Sequence, residues 1–192
     1  MIDSGGLVEI RWHGRGGQGA VTSAEILARA AISEDKYAQA FPSFGPERRG
    51  APVLAFVRID SKQPVMVRSE ITEPDVVVVL DPGLLKIVNV ASGLKPGGIV
   101  VINTKKKAAQ IRQEFGIKGR IATVDATRIA REELGVPITN TSMAGAVVKA
   151  TGAVKMESMT EPLQDRFGRL ADRNIKAARR AYDEIVIEEK AD

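Results

Sequence analysis

Two short, almost unbroken apolar runs, Asp75–Leu80 (DVVVVL) and Gly98–Asn103 (GIVVIN), limit what this chain can fold into. A strand that is apolar at every position has no face to give to water. It belongs in the middle of a sheet covered on both sides. Covering both faces of parallel strands takes helices, and helical patterns alternate with the strand patterns along the chain.

Leu7–Trp12 alternates apolar and charged residues and reads as a strand. The glycine-rich Gly14–Gly19 follows, then a helix over Ala20–Ile32 with apolar residues at helical spacing. Tyr37–Phe41 reads as a second strand and Pro42–Pro52 as a polar loop. Val53–Ile59 and Pro64–Val67 are expected to form a hairpin around Asp60–Gln63. Further helices are expected over Leu84–Ser92, Lys105–Glu114, Ala126–Leu134, from Asn140 to about Val154, and over Leu170–Val186, with a strand at Arg120–Val124. The fold class is α/β: a doubly wound, mostly parallel sheet with helices on both faces and an antiparallel hairpin, in a single domain. Gly145, inside the Asn140 helix, is expected to allow a neighbouring backbone to approach closely.

Composition removes several kinds of chemistry. There is no Cys and only one His, so this chain alone cannot ligate an iron–sulfur cluster, a zinc-thiolate or a histidine-rich metal site. The formal charge of +4 is mild and suits phosphates better than nucleic acid. Met1–Val8 has neither a basic start nor an apolar core, and no apolar run spans a bilayer, so the expectation is a cytoplasmic protein without a membrane partner.

The sharpest motif is Gly14-Arg15-Gly16-Gly17-Gln18-Gly19, which satisfies G-x-G-x-x-G between a strand and a helix. Glycines admit positive φ and close approach, and a helix N-terminus offers unpaired N–H groups to an anion. The same glycines also serve a tight strand-to-helix crossing with no ligand. A dinucleotide site would place an acid at the end of the second strand, and here that strand ends Gln39-Ala40-Phe41-Pro42. The loop Pro42-Ser43-Phe44-Gly45-Pro46-Glu47-Arg48-Arg49-Gly50-Ala51 is expected to lie beside the glycine loop. There Arg48 and Arg49 either clamp a phosphate or carboxylate or stay solvated. Asn140, Thr141 and Ser142 either cap a helix or meet a ligand. His13, the only candidate imidazole base, reads as structural beside a strand end. Lys105–Lys107 at a helix start either attracts phosphate or is a solvated face. Asp81 either is an acid placed at the end of a central strand, where functional acids occur, or belongs to a simple Asp-Pro-Gly turn. No catalytic set of side chains stands out.

Glu9–Gly19 (EIRWHGRGGQG), Gln39–Ala51 (QAFPSFGPERRGA), Asp75–Leu85 (DVVVVLDPGLL) and Asn140–Ala146 together resemble the gamma subunit of pyruvate and ketoisovalerate ferredoxin oxidoreductases, over roughly Val8 to Lys155. The chain departs from many relatives at Ser142-Met143-Ala144, where Pro and Leu are common. The resemblance implies one gamma-type domain over 1–192, ending in a helix over 170–187. It implies a subunit, inactive alone, of an enzyme that turns a 2-oxoacid, coenzyme A and oxidised ferredoxin into acyl-CoA, carbon dioxide and reduced ferredoxin. Thiamine diphosphate, Mg2+ and [4Fe-4S] clusters then lie on alpha-, beta- and delta-type partner subunits, and coenzyme A is a co-substrate. The gamma domain is expected to form the coenzyme A side of the active site or to serve assembly. The residues carried into that role are Gly14, Arg15, Gly16, Gly17, Gln18, Gly19, Ser43, Phe44, Gly45, Arg48, Arg49, Asn140 and Thr141. The substrate is left open.

Overall fold

The computed structural model describes residues 6–43 and 50–188. Along the chain run β1 (Leu7–Arg15), α1 (Ala20–Ile32), β2 (Tyr37–Pro42), β3 (Pro52–Asp60), β4 (Val76–Val79), β5 (Ile99–Asn103) and α2 (Ala108–Phe115). Then come β6 (Arg120–Val124), α3 (Ala126–Leu134), α4 (Asn140–Thr151), α5 (Thr160–Phe167), α6 (Ala171–Glu184) and β7 (Val186–Glu188). The strands form one sheet in the order β2-β3-β1-β4-β5-β6-β7. β1, β4, β5 and β6 pair in parallel, β3 lies antiparallel between β1 and β2, and β7 closes the other edge antiparallel to β6. The sheet is therefore mostly parallel in strand direction, with helices on both faces.

The valine run explains the layering. Val76 and Val78 enter the larger core with α1, α3, α4, α5 and α6. Val77 and Val79 enter a smaller core on the opposite face, with α2 and Leu84, Leu85 and Val90. All four are fully buried, as expected for a strand that is apolar throughout.

The antiparallel pairing is not the expected hairpin. Pro64–Val67 forms no strand; Met66 and Val67 are exposed. Pro64 has no N–H to give to a ladder. Arg58 instead reaches sideways, donating from Nη1 to the carbonyls of Val67 (3.0 Å) and Ser69 (2.8 Å). The antiparallel partners of β3 are β1 and β2.

The helix expected at Leu84–Ser92 is a 3₁₀ turn over Pro82–Lys86, capped by Asp81 Oδ1, which accepts from Gly83 N at 2.7 Å. Beyond it, the carbonyls of Val90 and Ser92 turn to Arg11 Nη2 (3.0 and 2.5 Å) instead of continuing a helix. The C-terminal helix stops at Glu184, because Ile185 takes an extended conformation and Val186–Glu188 pairs with β6. α5 had no sequence signal beyond a helix-compatible Pro162 in its first turn.

α4 lies between the sheet and α6, and every residue of it except Lys149 is buried. Gly145 makes this possible: a Cβ there would lie 1.9 Å from the Ala178 carbonyl oxygen of α6. Gly145→Ala is therefore expected to push the helices apart and cost about 3 kcal/mol. Thermal unfolding should show a Tm lowered by roughly 6–12 °C. An unchanged Tm would mean that α6 moves aside freely.

Candidate functional site at the carboxyl edge of the sheet

The register of β1 on β3 pairs Gly14 with Val53 and Arg15 with Pro52. That register brings the C-terminal end of the arginine-containing loop beside the glycine loop. Gly16 N donates to the Ala51 carbonyl (2.9 Å), and Gly50 N donates to the Gly16 carbonyl (3.2 Å). Arg15 Nη1 donates to the Gly50 carbonyl at 3.1 Å, and its Nε pairs with Asp81 Oδ2 at 2.6 Å. Asp81 thus does two jobs at the end of β4: one oxygen caps the 3₁₀ turn and the other holds Arg15. The sequence leaves Asp81 open between an acid at the end of a central strand and a simple turn residue. The signal for its role was an acid ending a buried strand.

Within the loop, Gln18 Oε1 accepts from Arg15 N (2.8 Å) and Gln18 N donates to the Arg15 carbonyl (2.9 Å). These bonds close the loop on itself and use the amides of Arg15, Gly16 and Gln18. Gly17, exposed at φ 92°, keeps its N–H without a partner among the described residues. Gly19 precedes α1 at φ 79°, and α1 starts with no side-chain cap. The first amides of that helix are therefore open to an anion at the loop.

Gly19 abuts the start of α4: a Cβ on it would lie 2.7 Å from Asn140 Nδ2. Ser23 Oγ donates to both the Gly19 carbonyl (3.1 Å) and the Asn140 carbonyl (3.0 Å), tying the two helix starts together. None of Asn140, Thr141 and Ser142 is the N-cap; that position is Thr139, whose side chain makes no capping bond. Asn140 Oδ1 accepts from Thr141 N at 2.9 Å. Thr141 is fully buried and donates from Oγ1 to Asn174 Oδ1 of α6 (3.1 Å). Ser142 Oγ is buried without a partner among the described residues. Asn140 is thus beside the glycine loop, and Thr141 faces α6.

Ser43 lies elsewhere, its Oγ donating to Glu70 Oε1 at 2.6 Å. Phe44, Gly45, Arg48 and Arg49 fall outside the described residues. Asn103, which sequence reasoning passed over, donates from Nδ2 to the Leu80 carbonyl and to Thr127 Oγ1 (both 2.9 Å), joining the ends of β4 and β5 to α3. In a dinucleotide fold the second strand lies next to the first. Here antiparallel β3 separates β1 from β2, which agrees with the missing acid at the end of β2.

His13, on the β1 face opposite α1, accepts from Arg11 Nε at its Nε2 (3.2 Å). Burial, with the Arg11 charge adding to it, holds this imidazole down at about 4. Burial also lowers Arg11.

Comparison with known proteins covers nearly the whole chain. Residues 9–184 match the family model of the pyruvate ferredoxin/flavodoxin oxidoreductase. The pyruvate/ketoisovalerate oxidoreductases common subunit gamma of Thermococcus litoralis is 58% identical over 185 residues, covering 95% of this chain and all of that one. The pyruvate synthase subunit PorC of Methanocaldococcus jannaschii is 51% identical over 181 residues, covering 94% of this chain and 98% of that protein. The crystal structure of the Thermotoga maritima pyruvate oxidoreductase subunit PORC (EC 1.2.7.1) superposes with a TM-score of 0.85 at 41% identity, covering 96% of this chain and 99% of its own. A 2-oxoglutarate:ferredoxin oxidoreductase from Magnetococcus marinus shares the fold over 30% of its chain and 93% of this one, at 20% identity and a TM-score of 0.70.

The His13 environment has a measurable consequence. The native imidazole takes its proton near pH 4, against 6.5 for an ordinary one. Stability is therefore complete above pH 6.5 and falls as pH drops towards 4, because the unfolded chain takes up a proton that the native one refuses. The loss amounts to roughly 3 kcal/mol in all. Denaturant unfolding of the wild type and His13→Gln across this range should differ in slope by this component. Parallel pH profiles would mean that His13 titrates normally in the folded chain.

Proposed function

Because this chain belongs to the pyruvate ferredoxin/flavodoxin oxidoreductase family and is a gamma subunit of a multi-subunit 2-oxoacid:ferredoxin oxidoreductase, we propose that it builds the coenzyme A side of the enzyme's active site. In this reading Gly14–Gly19 receives a phosphate of coenzyme A, and Arg48 and Arg49 orient it. The observation that carries the reading is the uncapped start of α1 beside an open Gly17 amide, in a loop fastened to Gly50 and Ala51. A phosphate there gains backbone N–H donors and the positive end of the helix. Ser43, Phe44 and Gly45 are assigned to the same reading, and Asn140 buttresses Gly19.

The chain's own residues bind and orient; none is assigned a bond-making step. With no Cys, the sequence supplies no thiolate for a [4Fe-4S] cluster. From the family, we assign thiamine diphosphate, Mg2+ and the clusters to alpha-, beta- and delta-type partners, with ferredoxin as electron acceptor. Among the described residues no helix is long and apolar enough to cross a membrane, and we place the complex in the cytoplasm.

A second reading keeps both loops for subunit docking alone. It is favoured by the internal bonds that use the amides of Arg15, Gly16 and Gln18. The two readings separate in the purified complex, assayed for coenzyme A-dependent 2-oxoacid oxidation with a viologen acceptor. Arg48→Ala or Arg49→Ala is expected to raise KM for coenzyme A about tenfold, the worth of one charged hydrogen bond, with kcat little changed. Unchanged KM in an intact complex would leave the loop to docking. The same assay across a panel of oxoacids identifies the substrate.

A further inference from the structure

A pocket of about 490 Å3 opens on the sheet face opposite α1 and α4, and none of Gly14–Gly19 lines it. Its size lies within the range of sites for organic ligands, about 300–1,000 Å3. Its polar floor is Arg11 and His13, each only 8% exposed. His13 Nε2 accepts from Arg11 Nε, so the ring proton sits on Nδ1. Among the described residues Nδ1 has no partner, and the imidazole lines the pocket.

The charge beside it is unusual. Arg11 donates to four carbonyls, those of Ile71, Thr72, Val90 and Ser92, and to His13. No carboxylate among the described residues pairs with it. Carbonyl dipoles satisfy the guanidinium N–H groups and leave its net charge in place, so the pocket floor keeps a positive field. The walls are mixed: Leu54, Phe56, Ile71, Leu84 and Val88 supply apolar surface, and Ser43, Thr72, Asn89 and Ser92 supply polar groups. Glu70, hydrogen-bonded to Ser43, is exposed at the rim, where solvent screens it.

We propose that this pocket binds a small organic acid, with its carboxylate on His13 Nδ1–H in the field of Arg11 and its apolar body between Phe56, Leu84 and Val88. A neutral donor beside a fixed buried cation recognises an anion without being an acid itself. The inference does not rest on the coenzyme A reading: among the described residues the two sites share only Ser43, which makes none of the ligand contacts proposed here.

The chain has a single His, so the imaging of this site by NMR needs no assignment. Phenylacetate is titrated into the 15N-labelled full chain at constant pH and ionic strength while the imidazole signals are followed. A saturable shift at Nδ1 is expected. 2-Phenylethylammonium, with the same body and the opposite charge, should bind at least about tenfold more weakly. Val88 is 38% exposed, so Val88→Trp fills the pocket from its outer wall with the core intact and should weaken phenylacetate about tenfold or more. The proposal is overturned by any of three results: no saturation in the tens of millimolar range, equal binding of the cation, or unchanged binding to a folded Val88→Trp.

Discussion

Burial of Val76–Val79 on both faces is the constraint from which the rest of the architecture follows. One face finds helices, with α1 and α4 packed against it. The other is covered partly by α2 and partly by residues 84–91, which are mostly irregular. An irregular segment over a core has carbonyls to satisfy and no ladder to satisfy them. Arg11 answers four of them from β1, two from residues 71–72 and two from residues 90–92. One buried guanidinium thus takes up carbonyls that no helix or ladder satisfies, two of them in the segment expected to be a helix. The cost is a buried charge, placed beside His13.

The carboxyl edge is organised by a different element, the antiparallel insertion of β3. Because β3 pairs residue for residue with β1 from Leu7–Asp60 to Arg15–Pro52, its first residue lands beside the start of the glycine loop. The Arg15–Asp81 pair then connects that loop to the end of the valine strand. Ser23 and Asn140 connect it to α4. The glycine loop is therefore held from three directions, which leaves the exposed Gly17 amide and the uncapped start of α1 without partners among the described residues. For the coenzyme A role we propose, this is preorganisation: the donors are fixed before the ligand arrives.

Much of this was legible in the primary structure. α1 and α3 run over the expected residues because glycine bounds them, Gly19 before the first and Gly135 after the second. The valine run read correctly as a doubly covered strand, and Gly145 read correctly as a point of close contact. Pro64–Val67 and Leu84–Ser92 misled because their apolar spacing suits regular structure. Long-range donors, Arg58 and Arg11, instead claimed carbonyls in both segments. Val186 was read into a helix, although its backbone pairs with a strand far away in sequence. No local pattern reports a competition of that kind.

What the sequence by itself determined was the α/β class, the position of the glycine loop between strand and helix, the absence of thiolate chemistry, and the family. Each depends on local residue type, periodicity or contiguous motifs. What only the tertiary structure decided was which side chains meet. Asp81 became the partner of Arg15, Thr141 turned to α6, and His13 took a place on a pocket floor beside an uncompensated Arg11. Those outcomes depend on strand order and register. Both are set by summed packing across residues tens of positions apart, so no single stretch of sequence carries them.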